Sequence, residues 1–190
     1  MNTNSLENIL KTLGAIPHGK SSPTVAGGAK PFTSSTKYIS GVATALNAVN
    51  GNLITPNLVT EVGVTNFPKG NSLPKGTGWL ITGIRMLFDT TTTADANVKA
   101  NVFRNLPPAN FKNGELTISQ GGRLFDSPIS DINNEKAATS NDDDFREIVP
   151  IFIRSETPWQ IQVALAGVAV ANQAYKLELR VVEFTDHDKQ

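Results

Sequence analysis

Past Pro56 the chain settles into the two-residue period of β-strands. Trp159, Ile161, Val163 and Leu165 alternate with Gln160, Gln162 and Ala164, and Tyr175, Leu177, Leu179 and Val181 alternate with Lys176, Glu178 and Arg180. Such alternation gives a strand one buried face and one face for water or a partner. Val98, Ala100 and Val102 alternate with Lys99 and Asn101, and Leu116 and Ile118 with Glu115, Thr117 and Ser119. Leu58–Phe67 is rich in β-branched residues and stops at Pro68-Lys69-Gly70. Two runs, Trp79–Phe88 and Ile148–Arg154, are apolar at successive positions, as in strands covered on both sides. Pro150 marks the second as an edge, a bulge or a kink. Gly121-Gly122 ahead of Arg123–Phe125 is a hairpin signal. With about eight strands, turn-rich connections and no long helix between them, the pattern predicts an all-β, antiparallel sandwich or barrel.

The N-terminal stretch follows a different rule. Leu6, Ile9, Leu10 and Leu13 fall on one face at helical spacing, Asn4 stands at the cap with Glu7 three residues on, and Gly14 and Pro17 stop the run. A helix over about 5–13 is marginal alone in water and needs a surface to dock on. That surface is its own β domain, a neighbouring subunit or a membrane. From Pro17 to Pro56 the chain is rich in Gly, Ser, Thr, Ala and Pro, a composition that cannot order itself by burial. Within it Tyr38–Val49 is more apolar and fits either a short helix or an extended strand. Phe32, Tyr38 and Ile39 would be poorly used in a permanently solvated tail. The expected organisation is an arm over 1–56, a β domain over 57–186 and a short tail over 187–190. The expected partner-binding residues of the arm are Leu6, Ile9, Leu10, Leu13, Phe32, Tyr38 and Ile39.

Charge sharpens this division. The chain of 190 residues carries no net formal charge, yet Glu7 is the only carboxylate before Glu61, set against Lys11, Lys20, Lys30 and Lys37. A basic arm precedes an acidic body, and neutrality overall gives no support for specific nucleic-acid recognition. The length suits one well-buried core. The N-terminus lacks the apolar core of a signal peptide and no apolar run is long enough to span a bilayer, so the expectation is a soluble chain.

Catalytic chemistry is hard to assemble from these residues. There is no cysteine, and the two histidines, His18 and His187, fall in the arm and the tail. That leaves no histidine on a predicted strand for a triad or a cupin-type metal site. No phosphate-binding glycine motif occurs. Glu61, Glu115, Glu147, Glu156, Glu178 and Glu183 are numerous enough for two-carboxylate hydrolysis, but nothing in the sequence pairs any two of them. Asn141-Asp142-Asp143-Asp144 offers oxygen ligands without the spacing, glycine and closing glutamate of an EF-hand loop, and reads as a solvated acidic turn. Trp159 lies in phase with core positions. Trp79, directly after Gly76-Thr77-Gly78, could present a ring at a loop. The expectation is a protein without catalytic, metal or cofactor sites.

Three passages carry a resemblance: "NFPKGNSLPKGTGWLITGIRMLF", "NGELTISQGGRLFDSPISDI" and "FREIVPIFIRSETPWQIQVALAG". They resemble the strand B-to-C, E-to-F and G-to-H portions of single jelly-roll capsid or penton proteins of icosahedral, often membrane-containing, bacteriophages. The resemblance spans about residues 57–185 and implies an eight-stranded jelly roll of two packed sheets. It also implies a structural role in the virion after synthesis in the host cytoplasm. Copies of the chain and other capsid subunits would be its partners, with an internal membrane as a further contact of the arm. The rival expectation is a carbohydrate-binding or adhesin-like sandwich using loops near Trp79 and Thr90–Asp95.

Overall fold

The computed structural model describes residues 32–43, 51–92, 95–104, 106–133, 145–167 and 173–185. The helix expected over 5–13, the Asn141–Asp144 run, His18, His187 and the tail 187–190 lie outside the described residues.

Eight strands are present: β1 (Phe32–Ala43), β2 (Gly51–Asn52), β3 (Thr77–Thr92), β4 (Glu115–Ser119), β5 (Arg123–Pro128), β6 (Arg146–Ile153), β7 (Gln160–Ala164) and β8 (Gln173–Thr185). A 3-10 helix covers Asp95–Ala100, and two single-turn helices, α1 (Ala109–Lys112) and α2 (Ile129–Ile132), sit in the connections flanking the β4–β5 hairpin. The strands pair in nested fashion, first with last, second with seventh, third with sixth and fourth with fifth, all antiparallel. This is one long hairpin of four strand pairs, rolled so that β8 also pairs with β3 and β7 with β4. The result is two four-stranded sheets, ordered β1-β8-β3-β6 and β2-β7-β4-β5. The fold is an antiparallel eight-stranded jelly roll.

The total of eight strands agrees with the sequence reading, but two members differ. Leu58–Phe67 and Val98–Arg104 are not strands; each is a folded connection touching the sheet at isolated bridges. The first turns at Gly63, whose positive φ of 86° few side chains adopt. In the second, the buried carboxylate of Asp89 accepts hydrogen bonds from the Val102 N–H and from Asn101 Nδ2, each 2.9 Å, and gathers the backbone into a turn. The missing places are filled by β1 and β2, both from the stretch expected to be an arm. The body therefore begins at Phe32, well before the expected boundary at 56/57, because β1 is in register with β8 over its whole length. This shifts one lettered passage: "NFPKGNSLPKGTGWLITGIRMLF" holds the connection into the third strand and that strand itself. The other two passages hold the fourth and fifth strands and the sixth and seventh.

Between the sheets, Ile81, Met86, Leu177, Leu179, Val181, Ile151 and Ile153 meet Leu116, Ile118, Ile161 and Val163. Phe67, Trp79 and Trp159 pack as a triangle with centroids 5.8–5.9 Å apart. Phe111 of α1 continues this core by packing on Phe88 at 4.8 Å and Tyr175 at 5.9 Å. One end of the sandwich is tied across three connections. Trp159 donates its N–H to Asn71 O and Glu156 to Leu73 O, each 2.9 Å. Gln120, in the β4–β5 turn, accepts the Arg154 N–H at 2.8 Å and donates to Arg154 O and Thr157 O.

Candidate assembly surfaces

The residues expected to meet partners divide by strand periodicity. Ile39 points between the sheets and is only 6% exposed, so it serves the core and not a neighbour. Its partner Leu177 fixes that orientation. Tyr38 faces outward, but its own chain engages it: the Gly63 N–H donates to its hydroxyl at 3.1 Å and Lys176 Nζ lies 4.8 Å from the ring centroid. Phe32 also faces outward and packs edge-on against Phe184 at 6.4 Å. Leu6, Ile9, Leu10 and Leu13 belong to the stretch outside the described residues.

The four sheet edges are managed differently. The β1 edge is capped by residues 64–66: Ser40 N donates to Val64 O at 2.7 Å and Asn66 N to Tyr38 O at 3.2 Å. The Asn66 side chain reinforces the cap by accepting the Tyr38 N–H and donating to Thr36 O. β2 has only two residues. β6 carries Pro150, and its pairing with β3 slips between Ile81 and Gly83, so Ile148-Val149-Pro150 bulges from the edge. β5 has no strand on its outer side among the described residues.

Six large aliphatic side chains are exposed among the described residues. Val59 and Val62 lie in the β2–β3 connection, and Val102 and Leu106 in the β3–β4 connection. The two connections touch where Lys99 Nζ binds Glu61 Oε1 at 3.2 Å, on the flank where residues 64–66 cap β1; the second then crosses to the β6 side of β3, where Arg104 exchanges backbone hydrogen bonds with Phe88. Leu124 on β5 and Val149 on β6 lie along the opposite flank, whose two edges are bridged by Arg146 and Asp131 at 3.4 Å. Val62 and Val149 are 89% and 86% exposed.

The outer face of the larger sheet has two halves. Near the chain termini of the sandwich, Phe32, Phe184 and Gly78 form one cross-strand row, and Ser34, Val182, Leu80 and Phe152 form the next. Phe152 stacks on Phe184 at 5.5 Å. Gly78 is required here, since a Cβ would overlap the Phe184 ring. Farther along, Arg85 and Glu178 are direct cross-strand partners joined by paired hydrogen bonds, and Lys176 Nζ lies 2.7 Å from Glu178 Oε1. Arg85 and Arg180 both stack on Phe145 at 4.6 Å. Burial pushes the Glu178 carboxyl upward, but hydrogen bonds from Lys176 and Arg85 and their charges outweigh it and hold the group below its ordinary value.

The tryptophans offer no sugar platform. Trp79 and Trp159 are each 1% exposed, and Trp79 spends its indole N–H on Glu183 Oε2 at 2.8 Å. Lys37 closes that group, 3.1 Å from Glu183 and 5.1 Å from the Trp79 ring. Trp79 is thus a core residue, contrary to the loop-side ring its glycine-rich approach suggested. Among the described residues no three metal-ligating side chains gather, and no helix is long and apolar enough to cross a membrane.

Sequence reasoning missed Phe152 and Phe184 as an outward pair. The signal was present: Phe184 and Val182 stand out of phase with Leu177, Leu179 and Val181, and Phe152 stands between the inward Ile151 and Ile153. No protein-family model matches the chain, and no curated protein matches it either.

Proposed function

We propose that the chain is a structural virion protein, a capsid or vertex (penton) subunit of an icosahedral bacteriophage, acting by assembly and not by catalysis. The observation that carries this reading is the pair of exposed valines on opposite flanks of a jelly roll, Val62 beside the capped β1 edge and Val149 on the bulged β6 edge. Two different patches on opposite sides make a head-to-tail contact, which closes into a ring when the rotation allows and otherwise grows open fibres. Bulged and capped edges further favour side-chain contacts over uncontrolled strand addition. The residues preceding Phe32 supply an arm, with copies of this chain and other capsid subunits as partners and an internal membrane within its reach.

Sedimentation velocity on the full chain tests the reading. A discrete cyclic oligomer is expected, and Val62→Asp and Val149→Asp should each reduce it to monomer. Mixing the two variants should restore one contact only and produce dimers, since each still holds one intact flank. A wild-type chain that stays monomeric at high concentration overturns the proposal. An arm deletion must stop at residue 31, because removing 32–43 takes away β1.

A further inference from the structure

The sequence holds Asn-Gly twice, at 50–51 and 113–114, and the second pair lies wholly within the described residues. In such a pair the following backbone nitrogen reaches the asparagine side chain easily, because glycine has no Cβ to obstruct it. The Gly114 nitrogen attacks Asn113 Cγ and the new C–N bond closes a succinimide ring. The side-chain nitrogen leaves as ammonia, carrying the proton given up by the Gly114 N–H. Water then opens the ring at either carbonyl, leaving aspartate or isoaspartate at that position. The chain and water supply every atom.

The native geometry opposes this reaction. Asn113 is exposed, so water reaches its side chain, but its backbone is fixed as the C-terminal cap of α1 at φ −91° and ψ 7°. Its N–H donates to Ala109 O at 3.1 Å, and the Gly114 N–H, which carries the attacking nitrogen, donates to Phe111 O at 2.8 Å. Gly114 is buried, and its carbonyl accepts the Ile129 N–H at 2.8 Å. A Cβ on Gly114 would lie 2.5 Å from Ala164 O and 3.1 Å from Phe111 O, both main-chain atoms, so this backbone has little room to swing. The product is opposed as well. Isoaspartate inserts one more carbon into the main chain just before Gly114, and Glu115 then has to enter β4 opposite Ala164 and Pro128.

We propose that Asn113-Gly114 is a fold-gated modification site: the native chain resists succinimide formation there, and a chain whose α1 has opened is converted to isoaspartate and no longer fits its native seat. The gate is a single turn of helix held by Phe111 against Phe88 and Tyr175. Opening one such turn takes less free energy than unfolding the sandwich, so the site responds to local loosening. Loss of ammonia makes the change one-way. The site therefore marks subunits that linger open and leaves those that stay folded unaltered. The inference stands apart from the ring proposal.

Peptide mapping of the full chain tests this. The native protein is aged in mildly alkaline buffer made with heavy-oxygen water, which labels the product and separates it from change during digestion. Trypsin then releases residues 113–123 for mass analysis. Deamidation there should run about tenfold or more slower than in a synthetic peptide covering 109–118. Phe111→Ala leaves the Asn-Gly pair untouched and loosens α1, so it should speed the reaction about tenfold. In a second arm the chain is aged in urea and then refolded by dilution. Isoaspartate at 113 should be depleted in the refolded fraction and enriched in the material that fails to refold. Equal rates in the native chain and the peptide overturn the proposal, as does a rate that Phe111→Ala leaves unmoved. Equal isoaspartate in the refolded and failed fractions overturns it as well, because the modified chain would then fit the native seat.

Discussion

The two halves of the larger sheet's outer face are built from the same strands with the same alternation, yet they close in opposite ways. In one half, Arg85, Glu178, Lys176 and Arg180 satisfy one another around Phe145, and the carboxylate of Glu178 is nearly buried without leaving the chain. In the other, Phe32 and Phe152 pack on Phe184, so that Leu80 and Phe184 are buried while Phe32, Phe152 and Val182 stay half-buried. Ionic groups can complete each other laterally, because each brings a partner of defined geometry. Aromatic rings can only remove area from water, and a flat sheet leaves one side of them open. The charged half is finished by folding. The aromatic half is closed only in part.

Breaking the charged half should have the largest effect. Arg85→Ala leaves Glu178 buried with Lys176 alone; it should cost about 2–3 kcal/mol, under the ~3–5 typical of a fully orphaned buried ion. Urea unfolding would measure it, and Arg85→Ala/Glu178→Ala should recover part of the loss. A loss that is no smaller in the double variant would mean the pair does not act as a unit.

Gly78→Ala sharpens the aromatic half. The new methyl must drive the Phe184 ring off its position, at about 1–3 kcal/mol, as for other overpacked sites. A thermal melt within error of wild type would show that Phe184 does not need that seat.

The smallest effect is on pH dependence. Glu178 has its folded value lowered, so its contribution to stability is complete above the ordinary carboxylate range. That contribution should fade as pH falls through the folded value. Stability curves of wild type and Glu178→Gln should therefore converge on acidification, and parallel curves would remove Glu178 as a source of acid sensitivity.

Local pattern carried the strands that are locally encoded. The Gly121-Gly122 hairpin, the edge position signalled by Pro150, and the half-buried β7 and β8 all follow from turn chemistry and alternation over a few residues. β1 was not readable in this way. Its sequence, "FTSSTKYISGVA", has no sustained apolar–polar alternation, and it is a strand because β8, about 140 residues away, offers a complete register. The opposite error has a matching cause. Leu58–Phe67 and Val98–Arg104 have β-branched alternation, but the turn at Gly63 and the grip of Asp89 on Val102 override propensity. Phe32 was read as a contact residue and does face outward, whereas Ile39, one strand's length away, was separated from it by a single step of the two-residue period. Phe152 and Phe184 become a surface only once β6 and β8 flank β3, where Gly78 leaves room for the Phe184 ring.

By itself the amino-acid order determined the fold class, the six strands β3 to β8 and the small share of helix, because each depends on spacing within one short segment. The pairing of first strand with last, the recruitment of Phe32–Ala43 into the body, and the gathering of Phe32, Phe152 and Phe184 came only with the rolled hairpin. Those features join residues more than a hundred positions apart, and no local period encodes which distant strand will supply the complementary edge.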